Sequence, residues 1–129
     1  MPVAASMNVV VVDDQQTMRS LVRTGLQELG FREIKECADG EAGLRALLTS
    51  KVDLVISDYN MPKLDGLGLL RAIRGHEPIR GTPFIMLTGR ADRELVQRAV
   101  QFGVNNYLVK PFTVATLKEK IEAVFGPIT

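Results

Sequence analysis

Five strand-like segments alternate strictly with five helix-like segments along this chain of 129 residues, and this alternation constrains the fold more than any other feature. Four of the strand segments are nearly continuous apolar runs, as expected of strands buried on both faces of a sheet. The fifth segment, residues 33–38, mixes charged and apolar side chains, so we predict that it lies at a sheet edge. The five predicted strands are residues 9–12, 33–38, 54–56, 83–87 and 107–109.

Apolar side chains recur at helical spacing after each of these strands. Asp65 and Thr113 precede two of the helical segments and are candidate N-caps, and Gly30 closes the first helix. The predicted helices cover residues 18–29, 42–48, 67–73, 95–102 and 114–125. Strict alternation implies right-handed crossovers, a parallel sheet and helices on both faces, which is a doubly wound α/β fold.

Composition limits the classes of protein to which the chain can belong. With 46% hydrophobic residues, 24% charged residues and a net charge of +1, it should form one domain over residues 1–129, with no output domain. The neutral balance argues against nucleic acid as a partner. Cys37 is the single cysteine and is expected to be a buried or half-buried thiol. No segment is typical of a signal peptide or membrane span, so we expect a cytoplasmic protein without membrane insertion. We also expect the protein to be a monomer.

Polar side chains follow each of the four apolar strand segments. Asp13 and Asp14 end the first strand, Asp58 the third, Thr88 the fourth and Lys110 the fifth. Ligands of doubly wound sheets bind beyond the carboxyl ends of the strands, where the strand order switches. The sequence therefore predicts that three carboxylates, a hydroxyl and an ammonium group meet at one edge of the sheet.

Three neighbouring carboxylates repel one another unless a cation neutralises them, and Mg²⁺ is a hard cation that prefers oxygen ligands. Asp14 and Asp58 are the first candidates for ligands. Lys110 and Thr88 supply the charge and the donor needed to hold anionic phosphoryl oxygens. The pattern indicates phosphoryl chemistry on an aspartate.

Each residue also has an ordinary structural interpretation when it is taken alone. The acidic pair could cap the first helix, Asp58 could begin a loop, and Lys110 could be a solvated strand end before Pro111. A phosphatase of the haloacid dehalogenase type is less consistent with the sequence, because Gln15 stands where its second aspartate is needed. A flavodoxin-type phosphate loop is disfavoured because residues 13–18 are acidic rather than rich in Gly or Thr.

Three motifs resemble those of bacterial response-regulator receiver domains, most closely the stand-alone chemotaxis regulators of that family. They are VVDDQQTMR at 11–19, LVISDYNMPKLDGLGLL at 54–70 and NYLVKPFTVATLKEKI at 106–121. The resemblance covers residues 8–126. It implies a flavodoxin-like receiver fold with five parallel strands in the order 2-1-3-4-5 and five helices.

The resemblance also implies the roles of the site residues. Asp58 would be the phospho-acceptor, and Thr88 and Lys110 would contact the phosphoryl group. Mg²⁺ would be held by Asp58, the acidic pair Asp13 and Asp14, and the backbone carbonyl of Asn60. The phosphodonor would be a sensor histidine kinase, and the Lys110-Pro111 peptide is usually cis in this family.

Further positions are implied for dephosphorylation and output. Asn60 and Arg90 would tune the rate at which the phosphoryl group is hydrolysed. Arg90 stands where the best-known chemotaxis regulators have an acidic residue. A phosphatase would be a further partner. Tyr107 would be the switch residue, and Arg93 and Lys120 would share its face, which binds the flagellar switch protein or a kinase in chemotaxis regulators. Two alternatives stay open, a single-domain regulator of stress signalling and a phosphate sink.

Overall fold

A computed structural model of the chain describes residues 2–89 and 93–129, and its centre is one five-stranded parallel sheet. The strands are β1 (Asn8–Val12), β2 (Glu33–Cys37), β3 (Leu54–Asp58), β4 (Phe84–Thr88) and β5 (Asn106–Val109). Their order in the sheet is β2-β1-β3-β4-β5. Both the predicted fold class and the edge position of residues 33–38 are therefore confirmed.

Helices cover both faces of the sheet. They are α1 (Gln16–Glu28), α2 (Gly40–Thr49), α3 (Gly66–Gly75), α4 (Arg93–Gln101) and α5 (Val114–Phe125). One buried cluster joins α1 and α5 to the sheet, and a second joins α2, α3 and α4 to its other face. Short 3-10 helices at Ala4–Ser6 and Glu77–Ile79 were not predicted, because three residues are too few to show a period.

Side-chain caps fix where three of the helices begin. The carboxylate of Asp65 accepts the amide of Gly68 at 2.7 Å, and the hydroxyl of Thr113 accepts the amide of Thr116 at 3.1 Å, so both predicted caps are confirmed. Asp39 caps α2 in the same way through Ala42. Gly30 follows α1 with φ of 100°, a left-handed conformation that favours glycine after a helix.

Two strands extend further toward the candidate site than the sequence suggested. Asp58 is aligned with Leu87, and Thr88 with Val109, in the parallel ladders that end β3 and β4. Apolar runs mark only the fully hydrophobic part of a strand, whereas backbone pairing continues through these polar residues. Both side chains are consequently carried by the sheet itself rather than by a loop.

The length and polarity of the helices bear on membrane insertion. Over residues 2–89 and 93–129, no helix is both long enough and apolar enough to cross a bilayer.

Candidate functional site

The predicted polar groups lie together at the carboxyl edge of the sheet. A cleft of about 450 Å³ opens there. It is lined by Gln15, Asp58, Tyr59, Asn60, Thr88, Gly89, Leu95 and Lys110. Asp58 and Thr88 are 5% exposed, so the sheet holds two polar side chains largely out of solvent at the base of this cleft.

Asp58 and Lys110 form an ion pair across the cleft. Lys110 Nζ donates to Asp58 Oδ1 at 2.9 Å, and the two side chains are 18% and 7% exposed. The backbone amide of Lys110 also donates to the carbonyl of Thr88 at 2.7 Å, and the Lys110-Pro111 peptide is cis, as expected. The loop after β5 is thereby fixed to the end of β4, with its ammonium group at the end of β3.

Asp13 is fully buried and held from several sides. Its amide donates to the carbonyl of Cys37 at 3.1 Å, and its Oδ1 accepts the amide of Gln15 at 2.9 Å. Cys37 itself is 5% exposed, as predicted, and burial raises the pKa of its thiol. Within the described residues, Oδ2 of Asp13 has no hydrogen-bond partner. A buried carboxylate oxygen without a partner is costly and calls for an explanation.

The pKa of Asp13 is raised from 3.8 to about 6. Burial is the main cause, because a low-dielectric environment disfavours the charged form, and the charges of Asp58 and Asp14 act in the same direction. The Gln15 amide and the ammonium group of Lys110 oppose this effect. The protein groups around Asp13 therefore do not supply enough positive charge to keep its pKa at the usual value.

A bound cation would supply that charge. Oxygen atoms of Asp13, Asp14 and Asp58 lie within 4.8 Å of one another, and this cluster could hold a metal ion. Asp14 is exposed whereas the other two are buried, so the cluster is open to solvent on one side only. The partnerless oxygen of Asp13 and the all-carboxylate donor set fit a hard divalent ion.

The cost of ionising Asp13 leads to a testable expectation for the metal-free protein. Because the folded-state pKa is raised, the contribution of Asp13 to stability is present below pH 3.8 and is lost as pH rises through about 6. Asp13→Asn should abolish this loss and raise the free energy of unfolding at pH 7.5 by about 3 kcal/mol. Urea unfolding in EDTA between pH 4 and 8 measures the difference, and an asparagine variant that is less stable at pH 7.5 would contradict it.

Among the positions expected to influence dephosphorylation, Asn60 lines the cleft and is exposed. Arg90 lies outside the described residues. Leu95, on the first turn of α4, also lines the cleft and was not singled out in the sequence, because it belongs equally to the apolar stripe of that helix.

The expected switch residue lies on the edge strand β5. Tyr107 is half-buried and packs against the cluster beneath α2, α3 and α4. The ammonium of Lys120 on α5 sits 4.8 Å from the centre of its ring, a cation–π contact. Arg93 is exposed at the first residue of α4 and takes no part in that contact. The structure thus brings two of the three predicted face residues together.

Comparison with known proteins places these features in a family. Residues 9–122 match the model of the response regulator receiver domain. The chain is 48% identical over 128 residues to a probable chemotaxis protein CheY of Rhizobium etli, with 99% of each chain covered. It is 43% identical over 119 residues to the chemotaxis protein CheY of Pseudomonas aeruginosa, covering 92% of this chain and 96% of that one.

A solved structure supports the same assignment. The chemotaxis protein CheY4 of Vibrio cholerae superposes with a TM-score of 0.85 at 34% identity, covering 92% of this chain and 98% of that one. Sequence motifs, sheet order and overall similarity all agree. The chain therefore belongs to the response-regulator receiver domain family.

Proposed function

We propose that this chain is a response regulator that accepts a phosphoryl group on Asp58 from a sensor histidine kinase. The observation that carries the proposal is the pairing of a buried Asp58 oxygen with Lys110 Nζ at 2.9 Å, next to two further carboxylates. A receiver domain is a signalling module rather than a classical enzyme. Its chemistry is the modification of its own side chain.

In the proposed transfer, a carboxylate oxygen of Asp58 attacks the phosphorus atom in line. The new oxygen–phosphorus bond forms as the phosphorus–nitrogen bond of the kinase phosphohistidine breaks, and the imidazole leaves with its electron pair. Lys110 neutralises negative charge that the transferred oxygens bring into the cleft. Thr88, at the end of β4, donates its hydroxyl to one of these oxygens.

Mg²⁺ is the proposed cofactor. Asp13, Asp14, Asp58 and the backbone carbonyl of Asn60 would hold it, and the partnerless Oδ2 of buried Asp13 supports this assignment. When bound, the ion supplies positive charge that offsets repulsion between the carboxylates and the phosphoryl oxygens. Later hydrolysis by water would return Asp58 to its free carboxylate. Asn60 and Arg90 are the residues proposed to tune the rate of this step, and a phosphatase is a further proposed partner.

We propose chemotaxis as the pathway, with control of the flagellar motor as the output. Support comes from the relatives called CheY, of which one is 48% identical over 99% of both chains. The proposed output surface is the face formed by α4, β5 and α5, with Arg93, Tyr107 and Lys120. As Thr88 turns toward the phosphoryl group, Tyr107 would rotate and change the shape of this face for a flagellar switch protein or a kinase.

Binding to the flagellar switch protein tests this output. Beryllofluoride with Mg²⁺ mimics the phosphoryl group on Asp58. In their presence the wild-type protein should bind the switch protein about 10-fold more tightly than in their absence, which is a usual strength of coupling between two binding sites. Lys120→Ala should weaken the activated complex, whereas Lys118→Ala, an exposed lysine on the same helix, should not. Titration by fluorescence anisotropy measures both effects.

Activation-independent binding, or none at all, would contradict the motor assignment. A protein that takes up phosphate normally but never binds the switch protein would instead be a phosphate sink or a regulator of another pathway, such as stress signalling. Asp58→Asn is the control, because it should not respond to beryllofluoride.

A further inference from the structure

Arg19, on the first turns of α1, reaches back to the acidic pair at the end of β1. Its Nη1 donates to the backbone carbonyl of Asp13 at 2.7 Å. The Arg19 side chain is 16% exposed, so the guanidinium is largely shielded from water, and this hydrogen bond is correspondingly strong. Arg19 thus connects a helix to the backbone of the most deeply buried carboxylate in the cluster.

A second contact fixes the orientation of the Arg19 guanidinium group. Its Nε pairs with Glu36 Oε1 at 3.2 Å, and Glu36 lies on the edge strand β2. Arg23, one turn further along α1, pairs with the other oxygen of the same glutamate at 2.7 Å and donates to the carbonyl of Ile34. The two arginines therefore share one anchor, but only Arg19 extends from it to Asp13.

The hydrogen bonds of Asp13 leave it with one free atom. Its amide binds Cys37, its carbonyl binds Arg19, and its Oδ1 binds the amide of Gln15. Across residues 2–89 and 93–129 no partner is found for Oδ2. Three of the four polar atoms of this residue are thus fixed by the protein, and the fourth belongs to one of the three carboxylates that form the cluster. A ligand held in this way enters the metal site already oriented.

We infer that Arg19 is a positioning residue for the metal site, which holds the backbone of Asp13 so that Oδ2 faces the cation. This inference rests on the proposed function, because it assumes that Asp13 is a ligand. Arg19 contacts the backbone carbonyl of Asp13 and not its carboxylate oxygens, so we expect it to act by orienting the residue. Its effect should therefore appear in the affinity for the cation.

The test compares Arg19→Met with Arg23→Met in the full chain. Both variants remove one arginine from Glu36 and keep an apolar stem against the protein, so they lose similar ion-pair and packing contributions. Only Arg19→Met frees the Asp13 carbonyl. Isothermal titration calorimetry with Mg²⁺ alone measures the affinity of each variant. Arg19→Met should bind Mg²⁺ about 10-fold more weakly than the wild type, which is the low end of the effect usually seen when a contact that supports a metal ligand is lost. The affinity of Arg23→Met should be unchanged.

Two further measurements separate positioning from general stability. Arg19→Lys, which retains a donor for the Asp13 carbonyl, should recover part of the lost affinity. In the phosphorylation reaction, the Mg²⁺ concentration giving half-maximal rate should rise for Arg19→Met, while the rate at saturating Mg²⁺ stays close to that of the wild type. If Arg19→Met does not fold, Arg19→Lys is compared with Arg23→Lys, and only Arg19→Lys should bind Mg²⁺ more weakly than the wild type.

The outcomes distinguish this inference from the proposed function. Equal Mg²⁺ affinity of the two methionine variants would overturn the role of Arg19 and leave the proposed function standing. Failure of the wild-type protein to bind Mg²⁺ would overturn both. Weaker binding by Arg19→Met alone, with partial rescue by lysine, would support positioning.

Discussion

Asp58→Asn is expected to abolish phosphoryl uptake while leaving the fold intact. Asparagine has the same shape and keeps an oxygen to accept the hydrogen bond from Lys110, but its amide lacks the nucleophilic carboxylate oxygen. The initial rate with a small-molecule donor such as acetyl phosphate should fall by at least about 10³-fold, as in other proteins that lose their nucleophile. Radiolabelled acid-labile phosphate bound to the protein measures this rate.

Asp53→Asn is the matched control for Asp58→Asn. Asp53 precedes β3 at the opposite end of the same strand, where its carboxylate accepts the backbone amide of Asn8 at 2.7 Å. An asparagine oxygen can accept the same bond, so uptake should be unchanged. Undiminished uptake by Asp58→Asn would remove Asp58 from its proposed role.

Gly66→Ala is expected to damage both the stability and the site. A Cβ atom at position 66 would clash with the backbone oxygen of Asp58 and would lie 2.9 Å from the Cα of Tyr59. These are backbone atoms, which cannot relieve the clash by rotating as a side chain can. The loop after β3 must therefore move away from the start of α3. We expect a loss of about 3 kcal/mol in the free energy of unfolding, at the upper end for overpacking.

A shift of about 1 Å at Asp58 should also slow phosphoryl transfer by about 10²-fold. Gly75→Ala is the control in the same helix, because no atom lies within 4 Å of a Cβ built there. It should stabilise the protein by up to about 1 kcal/mol and leave transfer unchanged. Urea unfolding and the acetyl phosphate assay measure both variants. Equal stability of the two variants would show that the close approach at Gly66 has no cost.

Much of the fold could be predicted because its signals are local. The run at residues 9–12 is short, β-branched and apolar throughout, and this combination is typical of a buried strand rather than of an amphipathic helix. The rule that parallel strands end at one edge then places Asp58 and Lys110 together, although they are 52 residues apart. Their contact at 2.9 Å agrees with that expectation.

Contacts that depend on packing could not be predicted. The sequence shows Arg19 as an ordinary polar residue of a helix, and nothing in its neighbours reveals that it reaches the Asp13 carbonyl. The same holds for Arg74, whose guanidinium binds the carbonyls of Thr82 and Gly103 and joins α3 to the loop before β5. The partners of such long side chains are groups that come close only after the sheet has formed, so the local sequence does not indicate them.

Chemical trapping of the modified residue tests the central claim most directly. The protein is incubated with acetyl phosphate and Mg²⁺, the acyl phosphate is reduced with borohydride, and the peptides are sequenced by mass spectrometry. If Asp58 is the phospho-acceptor, homoserine replaces aspartate at position 58 and at no other position. Homoserine at Asp13 or Asp14, or no reduced residue at all despite intact protein and bound Mg²⁺, would contradict it.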